Sequence, residues 1–119
     1  VQLLIDIAIP PEQAATLWTA PAVSRFLALA VETTGLHSIS PVRVLEHDGH
    51  IDGHVMIAES HIHVTLYLAA GLGFIDVFSC RDLVNGNLLT ALEETLLTPG
   101  AIVSVRTLER GDLPQKEGP

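Results

Sequence analysis

The sequence predicts an α+β fold, a two-layer sandwich in which a mainly antiparallel sheet carries two helices on one face. Three observations predict it. Several short stretches alternate apolar with polar residues or run apolar between turn signals, as half-buried strands do. Two longer stretches repeat apolar residues at helical spacing. The resulting order of strand, helix, four strands, helix, strand places both helices over the same sheet and leaves its other face uncovered. With 119 residues the chain has one core and one domain, taken as 1–110, because a second core would leave each half too small to fold comfortably alone.

Val1 to Ile9 puts Leu3, Ile5, Ile7 and Ile9 on one parity and Gln2 and Asp6 on the other, a strand that ends at Pro10-Pro11. From Glu12 the residues favour a helix. After Pro21, suited to a first helical turn, Val23, Phe26, Leu27, Ala30 and Val31 keep helical spacing until Gly35 stops it. Ile39 to Glu46 reads as the next strand, with Asp48-Gly49 as its turn, and further strands follow near His54 to Ala58, His61 to Tyr67 and Phe74 to Ser79. Asn87 is the expected cap of a second helix in which Leu88, Leu89, Leu92 and Leu96 face inward while Glu93 and Glu94 face water. Ala101 to Leu108 forms the last strand, and 111–119 is expected to be a frayed tail.

Charge narrows the function. Six Lys and Arg against 14 Asp and Glu leave a formal charge of -8, which argues against nucleic acid and anionic lipid as partners. A hydrophobic share of 48% with only 17% charged residues is apolar for so short a chain, so a homodimer through the uncovered sheet face is expected. The longest apolar stretches, 26–31 and 66–75, fall short of the ~20 residues that span a bilayer, so no membrane association is expected. The single cysteine, Cys80, forms no internal disulfide, and no basic segment followed by an apolar one opens the chain, which points to a reducing cytoplasm.

The chemistry-bearing residues lie in the middle of the chain. Glu59-Ser60-His61-Ile62 is followed, twenty positions after the serine, by Cys80 at the end of Asp76-Val77-Phe78-Ser79-Cys80. With the Asp-Gly-His segment, the helix ending in Gly-Leu and the element order, this resembles the prokaryotic S-adenosylmethionine decarboxylase family over nearly the whole chain. The resemblance implies a proenzyme of polyamine biosynthesis that cuts itself between Glu59 and Ser60, giving a β-chain of 1–59 and an α-chain of 60–119. The α-chain would begin with a covalent pyruvoyl group made from Ser60, the one cofactor implied. The chemistry is physically reasonable: a serine hydroxyl in a strained turn attacks the preceding carbonyl, and elimination and hydrolysis of the ester leave a ketone-like terminus. That terminus forms a Schiff base with a small-molecule amine substrate and acts as the electron sink for loss of carbon dioxide. Cys80 matches the family's acid that reprotonates the substrate carbon.

Three features depart from the family pattern. Thr65 stands where the family has a processing His five residues after its serine. His63, two residues earlier and on the same face of a regular strand, is the candidate proton carrier in its place. Asp52 stands where the family has a Ser eight residues before the cleavage serine. Tyr67-Leu68-Ala69 replaces a Trp-Pro-Glu run whose Glu holds the ribose hydroxyls. S-adenosylmethionine is the default substrate, with Tyr67 meeting its sulfonium through the ring face. The alternative is L-ornithine or L-arginine, with Asp52, near the scissile turn in that alignment, pairing with the distal cation. An uncleaved, non-catalytic dimer is the competing class. In that reading Ser60, between Glu59 and His61, is a hairpin residue, Cys80 is a small buried hydrophobe, Asp52 a turn residue and Tyr67 packing. His61 and His63 share a strand face, with His50 or His54 as a conceivable third ligand, but no acidic residue or cysteine completes a convincing spacing, and no metal is expected.

Overall fold

A computed structural model describes residues 2–35, 38–58, 60–79 and 85–108. The expectations for Glu59, Cys80 and the tail 111–119 lie outside the described residues. The predicted α+β class holds: a six-stranded antiparallel sheet is backed on one face by helices. The elements are β1 (Gln2–Ala8), α1 (Pro11–Leu17), α2 (Ala20–Thr34), β2 (Arg43–His47), β3 (His50–Ile57), β4 (Ser60–Tyr67), β5 (Leu72–Ser79), α3 (Asn85–Thr95) and β6 (Ile102–Leu108).

The first helical stretch is two helices rather than one, making three in all. Pro21 lacks the N–H an uninterrupted helix would need, and its ring would crowd the carbonyl four residues back. The chain therefore leaves the helix at Trp18 and restarts it at Thr19, whose side chain accepts a hydrogen bond from the Ala22 N–H at 3.2 Å. The two segments meet at 77°. The bend drives Trp18 into the core, where its indole N–H donates to the Leu96 carbonyl at 2.8 Å. Helix α3 begins at Asn85, so Asn87 sits within its first turn instead of capping it. Its buried stripe is Leu88, Ala91, Leu92, Thr95 and Leu96, with Leu89 only half-buried. No single helix among the described residues is long and apolar enough to cross a membrane.

The sheet runs β2-β3-β4-β5-β1-β6. Strand β2 is shorter than the sequence suggests: Pro41 removes a ladder donor, and before Arg43 Ser38 makes an isolated bridge to Ile57. Strand β3 is longer, because Asp48 and Gly49 both take positive φ, 46° and 80°, forming a two-residue hairpin of the type that matches strand twist and lets pairing resume at once at His50. Gly53 lies inside β3 for a steric reason. A Cβ there would run into Val23 and Leu27, so the glycine lets α2 lie close to the sheet.

Strict alternation gives the sheet two unlike faces. The helix side carries Leu3, Ile5 and Ile7, then Ile51 and Val55, Ile62, Val64 and Leu66, Ile75 and Val77, all buried. They pack beneath α2 and α3, which also contact each other. Among the described residues the opposite, open face has no second layer.

Candidate active site on strand β4 and the open sheet face

Strand β4 starts at Ser60, which pairs with Ile57 on β3 and with Ser79 on β5. Alternation sends the Ser60 side chain to the helix side, where it is 8% exposed and its hydroxyl donates to Ser79 Oγ at 3.1 Å. Ser79 is a site residue that the sequence reading passed over. The available signal was its place one residue before Cys80, which the twenty-residue offset had already singled out.

His61, His63, Thr65 and Tyr67 take the other parity and line the open face. Asp52 is the register partner of Thr65, and its carboxylate is the hub of that face. Thr65 Oγ1 donates to Asp52 Oδ1 at 2.9 Å, His50 Nε2 lies 3.1 Å from Oδ2, and His63 Nε2 lies 3.5 Å from Oδ1. Two of the departures from the family pattern, Asp52 and Thr65, are thus in contact with each other and satisfy one another. Tyr67 rests against His50 and Phe74, with ring centroids 5.8 and 6.0 Å away. At the other end of the strand His61 stacks on Phe78 at 5.6 Å.

Two expectations need correction. Asp52 is not near the scissile turn: it pairs five residues along β4 from Ser60, about 17 Å of extended strand. Likewise His63 shares the face of Thr65 but not that of the Ser60 side chain, so within one chain neither His63 nor Thr65 lies beside the Ser60 hydroxyl. Ala69, at the position of the family's ribose-binding Glu, is exposed in the β4–β5 turn, at the same remote end as Tyr67.

All five histidines among the described residues, His47, His50, His54, His61 and His63, project from the open face. His54 lies 6.1 Å from His63 and 6.4 Å from His61, ring to ring. Partial burial, then the neighbouring His63, His61 and Arg43, hold its pKa below the usual imidazole value. Among the described residues no group of three His, Cys, Asp or Glu side chains is disposed to hold a metal ion. Seven large apolar side chains also stand exposed here, namely Leu45, Met56, Tyr67, Leu72, Phe74, Ile102 and Leu108.

A helix-backed antiparallel sheet, with a buried serine opening a central strand and hydroxyl, carboxylate and imidazole groups gathered on its open face, defines a small single-sheet α+β scaffold. The family model for S-adenosylmethionine decarboxylase matches residues 3–111, and the chain belongs to that family. Among solved structures it is similar to the crystal structure of the adenosylmethionine decarboxylase from Aquifex aeolicus VF5, at 19% identity and TM-score 0.61, over 96% of this chain and 95% of that one. At that identity the likeness speaks for the fold. A search of curated proteins gave no match.

Proposed function

We propose that the chain is a self-processing, pyruvoyl-dependent decarboxylase that cleaves itself between Glu59 and Ser60 and works in the cytoplasm on S-adenosylmethionine. The observation that carries the reading is that Ser60, inside the matched span, opens a central strand with its hydroxyl held by a second hydroxyl. The residues present fit a pyruvoyl group at this point. The precursor serine follows the two-residue connection from β3, so a break there leaves the ladders of β3 and β4 intact. Once formed, the group supplies an electron sink for loss of carbon dioxide from an amine-bearing acid. Ser79 orients the Ser60 hydroxyl before cleavage. Cys80, next in the chain, is assigned the proton returned to the substrate carbon.

In one chain Asp52 and Thr65 lie about 17 Å from Ser60 along the strand and on the face opposite its side chain. The reading includes a homodimer stacked through the open faces, where Asp52 and Thr65 stand. Six strands about 4.8 Å apart and some seven residues long at about 3.3 Å each give a face of roughly 600 Å² in projection. Its accessible area is larger, near the ~800 Å² per partner of a stable interface. The exposed apolar side chains on this face supply the driving force.

A second reading on the same scaffold takes L-ornithine or L-arginine. It is favoured by the placement of Asp52, a partly exposed carboxylate flanked by Thr65 and two imidazoles, and by Ala69, which offers no carboxylate for ribose hydroxyls. Denaturing mass spectrometry of the purified protein tests the processing. Two fragments meeting at 59 and 60, with a pyruvoyl terminus on the second, are expected. One 12.7 kDa species that persists on long incubation overturns the enzyme reading. Carbon dioxide release from S-adenosylmethionine, L-ornithine and L-arginine, repeated with Asp52→Ser, decides the substrate.

A further inference from the structure

We infer that the open face is an acid-released interface: two copies stack through it while its histidines are neutral and separate when His54 and His61 take up protons. The inference rests on the homodimer reading above and adds its regulation. The distribution of charge carries it. Among the described residues the face holds two arginines, Arg43 and Arg106, against three aspartates, Asp6, Asp52 and Asp76, so its charge is -1 with neutral imidazoles. Protonating all five histidines takes it to +4. A face stacked on its own copy meets the same charges again, so acidification sets two cationic surfaces against each other in a space from which water has been removed.

The five imidazoles are not equivalent. His50 and His63 each face the Asp52 carboxylate at 3.1 and 3.5 Å, and Asp76 is the register partner of His63, so their protonated forms are partly balanced. His47 lies 3.3 Å from Asp48 at the exposed hairpin end. His54 has Arg43 opposite it on β2, His63 opposite it on β4, His61 within ring contact, and Asp52 and Met56 as its same-face neighbours along β3. His61 has Met56 opposite it on β3, Phe78 on β5, and His63 next along its own strand. These two histidines therefore have cationic or apolar surroundings on most sides and no ion-pair partner within 4 Å among the described residues. Stacking removes their water and disfavours their charged forms, so the dimer binds fewer protons than two free copies. The linkage sign follows: association is complete above the ordinary imidazole range, near pH 6.5, and weakens as pH falls through it.

The whole chain predicts the opposite. Its charge of -8 falls toward zero near the sequence pI of 5.0, so general repulsion between two copies weakens on acidification and association should tighten. The direction of the pH effect thus separates the local device from bulk electrostatics.

The experiment is sedimentation equilibrium of the full chain from pH 8.0 to 5.5, with circular dichroism followed on the same samples, for the wild type and for His54→Gln/His61→Gln. A dimer at pH 8.0 whose Kd rises at least about a hundredfold by pH 5.5, before any loss of the dichroism signal, is expected. The double variant should keep a Kd that changes less than about fivefold. A dimer that persists or tightens at pH 5.5, a dissociation coincident with unfolding, or a double variant with wild-type pH dependence overturns the acid release alone. A monomer at pH 8.0 overturns the stacking as well.

Discussion

Trp18 shows how one side chain joins distant parts of the chain. Its indole is buried, and its N–H donates to the Leu96 carbonyl just beyond the end of α3. Trp18→Phe keeps most of the apolar surface but strands that carbonyl, so urea unfolding should show a loss of about 1–3 kcal/mol. Ser79 acts on the proposed chemistry. Ser79→Ala removes the acceptor of the Ser60 hydroxyl, and cleavage followed by mass spectrometry should slow at least about tenfold, with Ser79→Thr restoring most of the rate. An unchanged rate in the alanine variant would show that Ser60 needs no orienting hydroxyl. His54 supplies a stability effect with a definite sign. Its native pKa lies below the unfolded value, so its neutral form is favoured and stability is full above about pH 6.5. Stability then declines as pH falls from there toward the native pKa. Denaturant midpoints of His54→Gln between pH 7.5 and 5.5 should fall less than those of the wild type.

At the level of elements, the break between α1 and α2 is the feature on which the core depends. Thr19→Ala removes the cap that restarts the helix and should cost about 1 kcal/mol, read as a lower midpoint in urea with an unchanged slope. The existence of these elements was legible because alternation in β1 and the helical repeat from Val23 to Val31 are long enough to stand out. Their limits were less so. Pro21 was read as a favourable first-turn residue, which it is, but of a second helix rather than a continuing one. His50 to Gly53 did not look like strand because Asp and Gly are poor strand formers. Their places are set by α2, which needs Gly53 small, and by Thr65 and the two imidazoles that satisfy Asp52.

For the molecule as a whole, the strand order interleaves the two fragments that cleavage would create. Residues 1–59 supply β2, β3 and β1, while residues from 60 onward supply β4, β5 and β6, so three ladders, β3 with β4, β5 with β1 and β1 with β6, join one fragment to the other. Cleavage at 59 and 60 cuts only a hairpin connection and none of these. The fragments should therefore co-elute under native conditions and separate only in denaturant. Co-expressing 1–59 and 60–119 as separate chains should yield the same assembled species; recovery of either alone would contradict this account.

The sequence by itself determined the class of fold, because the period of apolar residues is a local property that each strand and helix carries within its own few residues. It also determined the family, because the Ser60 and Cys80 offset can be counted along the chain. Only the tertiary structure decided which of the singled-out residues meet. Register across β3, β4 and β5 put Asp52 on Thr65 and Ser60 on Ser79, and it put the first pair far from the second and on the opposite face. Those pairings depend on how neighbouring strands line up: burying one parity of every strand under α2 and α3 fixes the face each residue takes, and the short turns between β3, β4 and β5 fix the register along it.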